Sequence, residues 1–165
     1  MKSTGEVMGI AGNFPAAFTK TQLAIDYEPP RGGEVFISVN DGDKRNITAI
    51  ARSIARLGFS LVATTGTARA LRASGIECEE VGKIHAGSHT ILDRIASGKI
   101  VLMVNTPFGS STNTDGYEMR AACVRHGVSY CTTLAGAQAL IVGMEAVRET
   151  GLDVIALQDL PQWEG

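Results

Sequence analysis

The chain has 165 residues, of which 44% are hydrophobic, so it is long and apolar enough to bury one compact core. Its formal net charge of -2 gives no overall basic field of the kind that draws a protein to nucleic acid or anionic lipid. Its three cysteines show no CxxC spacing, which favours a reduced cytoplasmic setting over a disulfide framework. With no signal pattern and no apolar run near the ~20 residues of a membrane span, we expect a soluble protein.

Residues 1–30 differ in pattern from the rest of the chain. Asn13 is placed to cap a helix that has Pro15 in its first turn. The prolines and glycines of residues 29–33 then indicate a linker. We therefore predict a leader over residues 1–30 and one main domain over residues 31–160.

Beyond the linker, short apolar segments alternate with segments of helical periodicity. The strand candidates are 34–40, 60–63, 77–81, 100–104, 128–131 and 153–157. The helix candidates are 47–57, 67–73, 89–96, 117–125 and 134–149. Apolar strands that alternate with helices predict a doubly wound, Rossmann-like α/β fold, with a mostly parallel sheet of about five strands and helices on both faces.

In such a sheet, ligands bind outside the carboxyl ends of the strands, where loops and helix N-termini meet. The segments that follow the predicted strands are rich in threonine and also carry lysine and asparagine. The candidate binding residues there are Lys44, Thr64, Gly66, Thr67, Lys83, Asn105 and Thr106. Hydroxyl and helix N–H groups donate hydrogen bonds, Gly66 allows close approach, and the lysines add charge. This pattern predicts a bound phosphate, although the Thr64–Thr67 segment alone could simply cap a helix.

Other candidate sites have weaker support in the sequence. His85 and His89 are four residues apart, but no carboxylate or cysteine completes a set of ligands, so we expect no metal site. Asp43 is placed to cap the next helix rather than to act as a base. Cys131 has no histidine within two residues, which favours a buried apolar role over a nucleophilic one.

Six sequence blocks, in order along nearly the whole chain, resemble one known family. They are Ser3 to Met8 (STGEVM), Phe36 to Lys44 (FISVNDGDK), Ala63 to Ala68 (ATTGTA), Asn105 to Gly109 (NTPFG), Asp115 to Arg120 (DGYEMR) and Thr132 to Ala137 (TTLAGA). These blocks are similar to those of the C-terminal regulatory domain of carbamoyl-phosphate synthase large chains, which has the methylglyoxal-synthase-like fold. The leader resembles the end of the synthetase domain that precedes it.

The resemblance implies an allosteric domain that binds a nucleotide such as UMP or IMP and contributes to an ornithine site. It implies nucleotide contacts at Lys44, Thr64, Thr67, Lys83 and Asn105, and ornithine contacts at Tyr130 and Thr132. The family's enzyme is a glutamine-dependent ligase that uses ATP with Mg or Mn and serves pyrimidine and arginine biosynthesis. Its ATP sites lie upstream, so the resemblance implies a detached segment without cofactor or catalysis of its own. Its partners would be the rest of the large chain and the glutaminase small chain.

Several positions depart from that family's pattern and leave the effector open. Some members have threonine at the position of Pro107, arginines at Ser110 and Ser111, and aspartate at Cys131. Methylglyoxal synthases, which act on dihydroxyacetone phosphate, share the fold and offer the alternative function. Their catalytic aspartate would fall near residues 87–89 (GSH), where serine cannot act as a general base at neutral pH. A purely structural module is a third interpretation.

Overall fold

The computed structural model describes residues 5–25, 27–82, 91–107 and 114–159. Its helices are α1 (Phe14–Leu23), α2 (Ile47–Arg56), α3 (Thr65–Ala73), α4 (Ile91–Ala96), α5 (Thr114–His126) and α6 (Leu134–Thr150). Its strands are β1 (Glu34–Ser38), β2 (Ser60–Thr64), β3 (Glu79–Val81), β4 (Ile100–Asn105) and β5 (Ser129–Cys131). Short 3₁₀ helices cover Asp41–Asp43 and Leu157–Asp159.

The five strands form one parallel sheet in the order β3-β2-β1-β4-β5. From β1 the chain first moves outward through β2 to β3, and then crosses to the other side of β1 to form β4 and β5. Helices α2 and α5, which follow the neighbouring strands β1 and β4, pack on opposite faces of the sheet. The boundary between these two strands is therefore a switch point, where sheets of this kind bind ligands at the carboxyl ends of the strands. The doubly wound parallel sheet predicted from the sequence is confirmed.

Both faces of the sheet are covered by helices, because successive side chains of each strand point to opposite faces. Val35 and Ile37 of β1 belong to an apolar cluster with α2, α3 and α6. Phe36, between them, belongs to a second cluster with α4 and α5. The three side chains are at most 1% exposed, and this burial on both faces explains why the strand sequence is apolar throughout.

The predicted strand over residues 153–157 is wrong. Residues 153–156 have no regular structure, and a 3₁₀ helix begins at Leu157. Val154 is 97% exposed and Ile155 is 52% exposed, so the apolar run is not buried against the sheet. An apolar run becomes a strand only where a neighbouring strand can complete its hydrogen bonds, and this segment pairs with none in the described part of the chain. The other predicted elements agree within about three residues wherever they fall on described residues.

The predicted capping role of Asp43 is also wrong. Asp43 lies in the 3₁₀ helix, and its carboxylate accepts a hydrogen bond of 2.7 Å from Asn40 Nδ2. Asn46 occupies the N-cap position of α2 and makes no capping hydrogen bond with its side chain. An extra turn between β1 and α2 separates the acidic residue from the helix that it was predicted to cap.

Helix α1 begins as predicted and packs closely on α6. Asn13 Oδ1 accepts a hydrogen bond of 3.0 Å from the amide of Ala16, which caps the helix. Thr19 is 2% exposed, and a Cβ built at Gly143 of α6 would lie 2.4 Å from Thr19 Oγ1. The two helices therefore approach so closely that only glycine fits at this point. The close packing of α1 on α6 does not show which domain α1 belongs to. The domain boundary near residue 31 therefore stays a prediction.

We expect Gly143→Val to lower the free energy of unfolding by about 1–3 kcal/mol, because the new side chain collides with the buried Thr19. Urea denaturation would measure this loss. Ala135→Val, at an exposed position of the same helix, is the matched control and should cost less than about 1 kcal/mol. Equal effects of the two substitutions would show that the contact between α1 and α6 contributes nothing to stability.

Candidate functional site

A row of three polar side chains crosses the carboxyl ends of the central strands. Ser38 of β1 is in register with Asn105 of β4, and Thr64 Oγ1 of β2 lies 3.4 Å from Ser38 Oγ. Strand alternation directs all three toward the sheet face that α4 and α5 cover. We call Ser38, Thr64 and Asn105 the polar row. The sequence analysis identified Thr64 and Asn105 but missed Ser38, whose place at the end of a buried strand was the available signal.

Thr64 occupies the N-cap position of α3 but does not cap it. Its hydroxyl instead lies 3.4 Å from Ser38 Oγ and 3.2 Å from Thr67 Oγ1. The structure therefore contradicts the alternative interpretation, in which Thr64 serves only to cap α3. The first backbone N–H groups of α3 carry the partial positive charge of a helix N-terminus, next to the polar row.

Lys44 lies against the first turn of α3. A Cβ built at Gly66 would be 2.9 Å from Lys44 Nζ, so the absence of a side chain at residue 66 makes room for the ammonium group. Lys44 also forms an ion pair of 2.5 Å with Asp41, whose side chain is 81% exposed while that of Lys44 is 30% exposed. The ammonium group is thus held beside the helix N-terminus by a carboxylate that faces solvent.

Two of the predicted binding residues are tied into the fold by their hydroxyls. Thr67 is 1% exposed, and its Oγ1 accepts a hydrogen bond of 3.2 Å from the amide of Val39. Thr106 is 7% exposed, and its Oγ1 accepts hydrogen bonds of 3.0 and 3.1 Å from the backbone and side-chain nitrogens of Asn40. Both threonines fix the loop that follows β1, so they hold this loop in place beside the polar row.

Several predicted residues lie outside the described residues: Lys83, His85, His89, Ser110 and Ser111. The same is true of residues 87–89, where the base of a methylglyoxal synthase would fall. Within the described ranges, no three His, Cys, Asp or Glu side chains group closely enough to hold a metal ion. No helix in these ranges is long and apolar enough to cross a membrane.

A second cleft, of about 270 Å³, lies between α1 and the end of β5. Tyr130 and Thr132, the two residues that the resemblance assigns to ornithine, both line it. Phe18 and Gln22 of α1 line it as well, so the leader helix contributes one wall. The sequence analysis did not predict these two residues, because only the packing of α1 on α6 brings them to β5.

Burial raises the pKa of two ionisable groups near this cleft. Burial raises the pKa of the Cys131 thiol to about 11. Burial likewise raises the pKa of Tyr27 to about 12; nearby Cys131 adds to the shift, and the hydroxyl of Ser129 opposes it. The Tyr27 hydroxyl is buried and makes no hydrogen bond of good geometry within the described part of the chain. A protonated thiol that packs against the core agrees with the apolar role that the sequence indicates for Cys131.

Two proteins similar in sequence are both named as large chains of carbamoyl phosphate synthase. The chain is 50% identical over 161 residues to the carbamoyl phosphate synthase large chain, C-terminal section, of Methanopyrus kandleri, which covers 97% of this chain and 30% of that protein. It is 43% identical over 159 residues to the carbamoyl phosphate synthase large chain of Myxococcus xanthus, which covers 96% of this chain and 15% of that protein. The chain therefore spans less than a third of the length of these relatives.

A solved structure and a family model agree with the fold. The crystal structure of methylglyoxal synthase from Elizabethkingia anophelis NUHP1 matches with a TM-score of 0.57 at 16% identity, over 68% of this chain and 78% of that one. At that identity the likeness concerns the fold alone. The family model described as MGS-like domain matches residues 46–132, more than half of the chain, from the start of α2 to the loop after β5. Because this match covers more than half of the chain, the chain belongs to the family of MGS-like domains.

Proposed function

We propose that the chain is the effector-binding domain of a carbamoyl phosphate synthase large chain, and that it binds the phosphate of UMP or IMP beside the polar row. The observation that carries the proposal is the position of Lys44 against Gly66, at the first turn of α3. A cation, free helix N–H groups and hydroxyls there suit a phosphate monoester.

The proposed phosphate site combines charge with directed donors. Lys44 supplies one positive charge, and the first turn of α3 supplies backbone N–H groups. Thr64 is partly exposed, so its hydroxyl can turn toward a ligand. Asn105 offers an amide at the other end of the polar row, where the sugar of a nucleotide would extend from the phosphate. Gly66, Thr67 and Thr106 would act by holding this geometry, and Lys83 would add a second charge.

The same proposal assigns catalysis to the rest of the protein. Synthesis of carbamoyl phosphate, for pyrimidine and arginine biosynthesis, would belong to the remainder of the large chain acting with a glutaminase small chain in the cytoplasm. ATP and Mg or Mn would bind there. In this proposal the present chain is not catalytic and acts by allosteric regulation: its effector would favour one arrangement of the large chain over another.

Ornithine is a further proposed ligand, at the cleft between α1 and β5. Its support is that Tyr130 and Thr132 line one cleft. Cys131 stands where some members of the family have aspartate, and burial raises its pKa to about 11, so no thiolate would be available to pair with the amine. We therefore expect ornithine to bind weakly in comparison with members that have the aspartate.

Calorimetric titration of the chain with UMP, IMP and ornithine tests the proposal. Uridine and inosine, which lack the phosphate, are the matched controls and should bind much more weakly than the two nucleotides. Binding of nucleosides and nucleotides with equal affinity would contradict the phosphate site. If none of these ligands binds, incubation with dihydroxyacetone phosphate decides between the alternatives: formation of methylglyoxal would indicate a synthase, and its absence a structural module.

We expect Lys44→Met to weaken nucleotide binding roughly 10-fold to 100-fold, because a charge-assisted contact contributes about 1.5–3 kcal/mol. Lys99→Met is the matched control: Lys99 is exposed and immediately precedes β4, at the amino end of the sheet, so the same loss of charge should leave affinity unchanged. Calorimetry on both variants makes the comparison. Equal affinity of the Lys44 variant and the unmodified chain would remove Lys44 from the site.

We expect Asp41→Asn to strengthen nucleotide binding by up to about 5-fold. The Asp41 carboxylate competes with a phosphate for Lys44, and an exposed ion pair of this kind is worth about 0–1 kcal/mol. Asp153→Asn, which removes an equal charge at an exposed position after α6, controls for the change in net charge. Weaker binding by the Asp41 variant, with the control unchanged, would mean that Asp41 assists the ligand rather than competing with it.

A further inference from the structure

A second contact at the polar row involves Arg120, to which the sequence analysis assigned no role. Asn105 is 6% exposed at the end of β4. Arg120 is partly buried on α5, and its Nη1 donates a hydrogen bond of 2.9 Å to Asn105 Oδ1. The helix that covers this face of the sheet therefore contacts the end of the polar row directly.

This contact fixes the orientation of the Asn105 amide. A guanidinium group carries only donors, so the amide must turn its oxygen toward Arg120. An asparagine without such a neighbour can exchange its oxygen and nitrogen by a half-turn with almost no change of shape. Because the amide is planar, Nδ2 then points away from Arg120, and no described residue accepts a hydrogen bond from it.

Gly116 leaves space for the same contact. A Cβ built at Gly116, in the first turn of α5, would lie 3.1 Å from Arg120 Nη1 and 3.5 Å from Asn105 Oδ1. Glycine within a helix costs about 1 kcal/mol relative to alanine. Here the glycine lets the backbone of α5 pass directly against the pair formed by Asn105 and Arg120.

We propose that Arg120 is a positioning residue that holds Asn105 as a permanent hydrogen-bond donor, so that the polar row selects ligands with an acceptor oxygen next to their phosphate. The hydroxyls of Ser38 and Thr64 can rotate to donate or to accept, and so they do not discriminate between the two. Asn105 is the member of the polar row whose orientation is fixed, so it can only donate a hydrogen bond to a ligand. The inference rests on the proposed function, since it concerns how the same site distinguishes a nucleoside monophosphate from a bare anion.

The test is a calorimetric comparison of UMP with inorganic phosphate. Arg120→Met should weaken UMP binding about 3-fold to 10-fold, the effect of one misaligned hydrogen bond, and leave phosphate binding unchanged. Arg120→Lys should restore part of the UMP affinity, because an ammonium group also carries only donors. Arg125→Met removes the same charge from an exposed position of the same helix and should change neither affinity.

The variant Asn105→Asp tests the donor role of Asn105 separately from its contribution to the stability of the fold. A carboxylate still accepts the hydrogen bond from Arg120, so this variant should keep the thermal stability of the unmodified chain, yet it cannot donate and should lose UMP binding. It also serves if Arg120→Met does not fold. Full UMP affinity in either the Arg120→Met or the Asn105→Asp variant would overturn the inference while the proposed function stands. Failure of the unmodified chain to bind UMP would instead overturn the proposed function.

Discussion

The parallel pairing of β1 with β2 on one side and β4 on the other is the constraint on which the site depends. Paired residues of parallel strands face the same side of the sheet, so Ser38, Thr64 and Asn105 emerge together at the carboxyl ends. A slip of one residue in β4 would turn Asn105 toward the apolar layer of α2 and α6, away from Arg120. Register therefore decides both the stability of the core and the composition of the polar row.

The loop after β1 shapes the proposed phosphate site. The hydroxyls of Thr67 and Thr106 accept hydrogen bonds from backbone amides of the loop, and Gly66 leaves room for Lys44 over α3. Asp41 holds the Lys44 ammonium from the solvent side, so an entering phosphate would exchange one anionic partner for another. Such an exchange needs little movement of the backbone, and this favours a site that is largely formed before the ligand arrives.

The sequence predicted the alternating core, because the core follows from local patterns. Lys44 and Asn105 were predicted as binding residues because they follow apolar strand candidates, and an α/β sheet binds its ligands at the carboxyl ends of its strands. The pattern failed at residues 153–157, since a strand needs a neighbour that no local pattern supplies. It could not predict the pairing of Arg120 with Asn105, because that contact depends on how α5 crosses the sheet. It also could not tell that the hydroxyl of Thr67 faces inward, since threonine suits a ligand and a backbone amide equally well.

A crystal structure of the chain with bound UMP tests the central claim most directly. The account predicts phosphate oxygens within about 2.7–3.2 Å of Lys44 Nζ and of backbone nitrogens in the first turn of α3. It also predicts that Asn105 Nδ2 faces the nucleotide while Oδ1 keeps its contact with Arg120. A nucleotide bound away from the polar row, for example in the cleft between α1 and β5, with Lys44 and Asp41 still paired, would contradict the account.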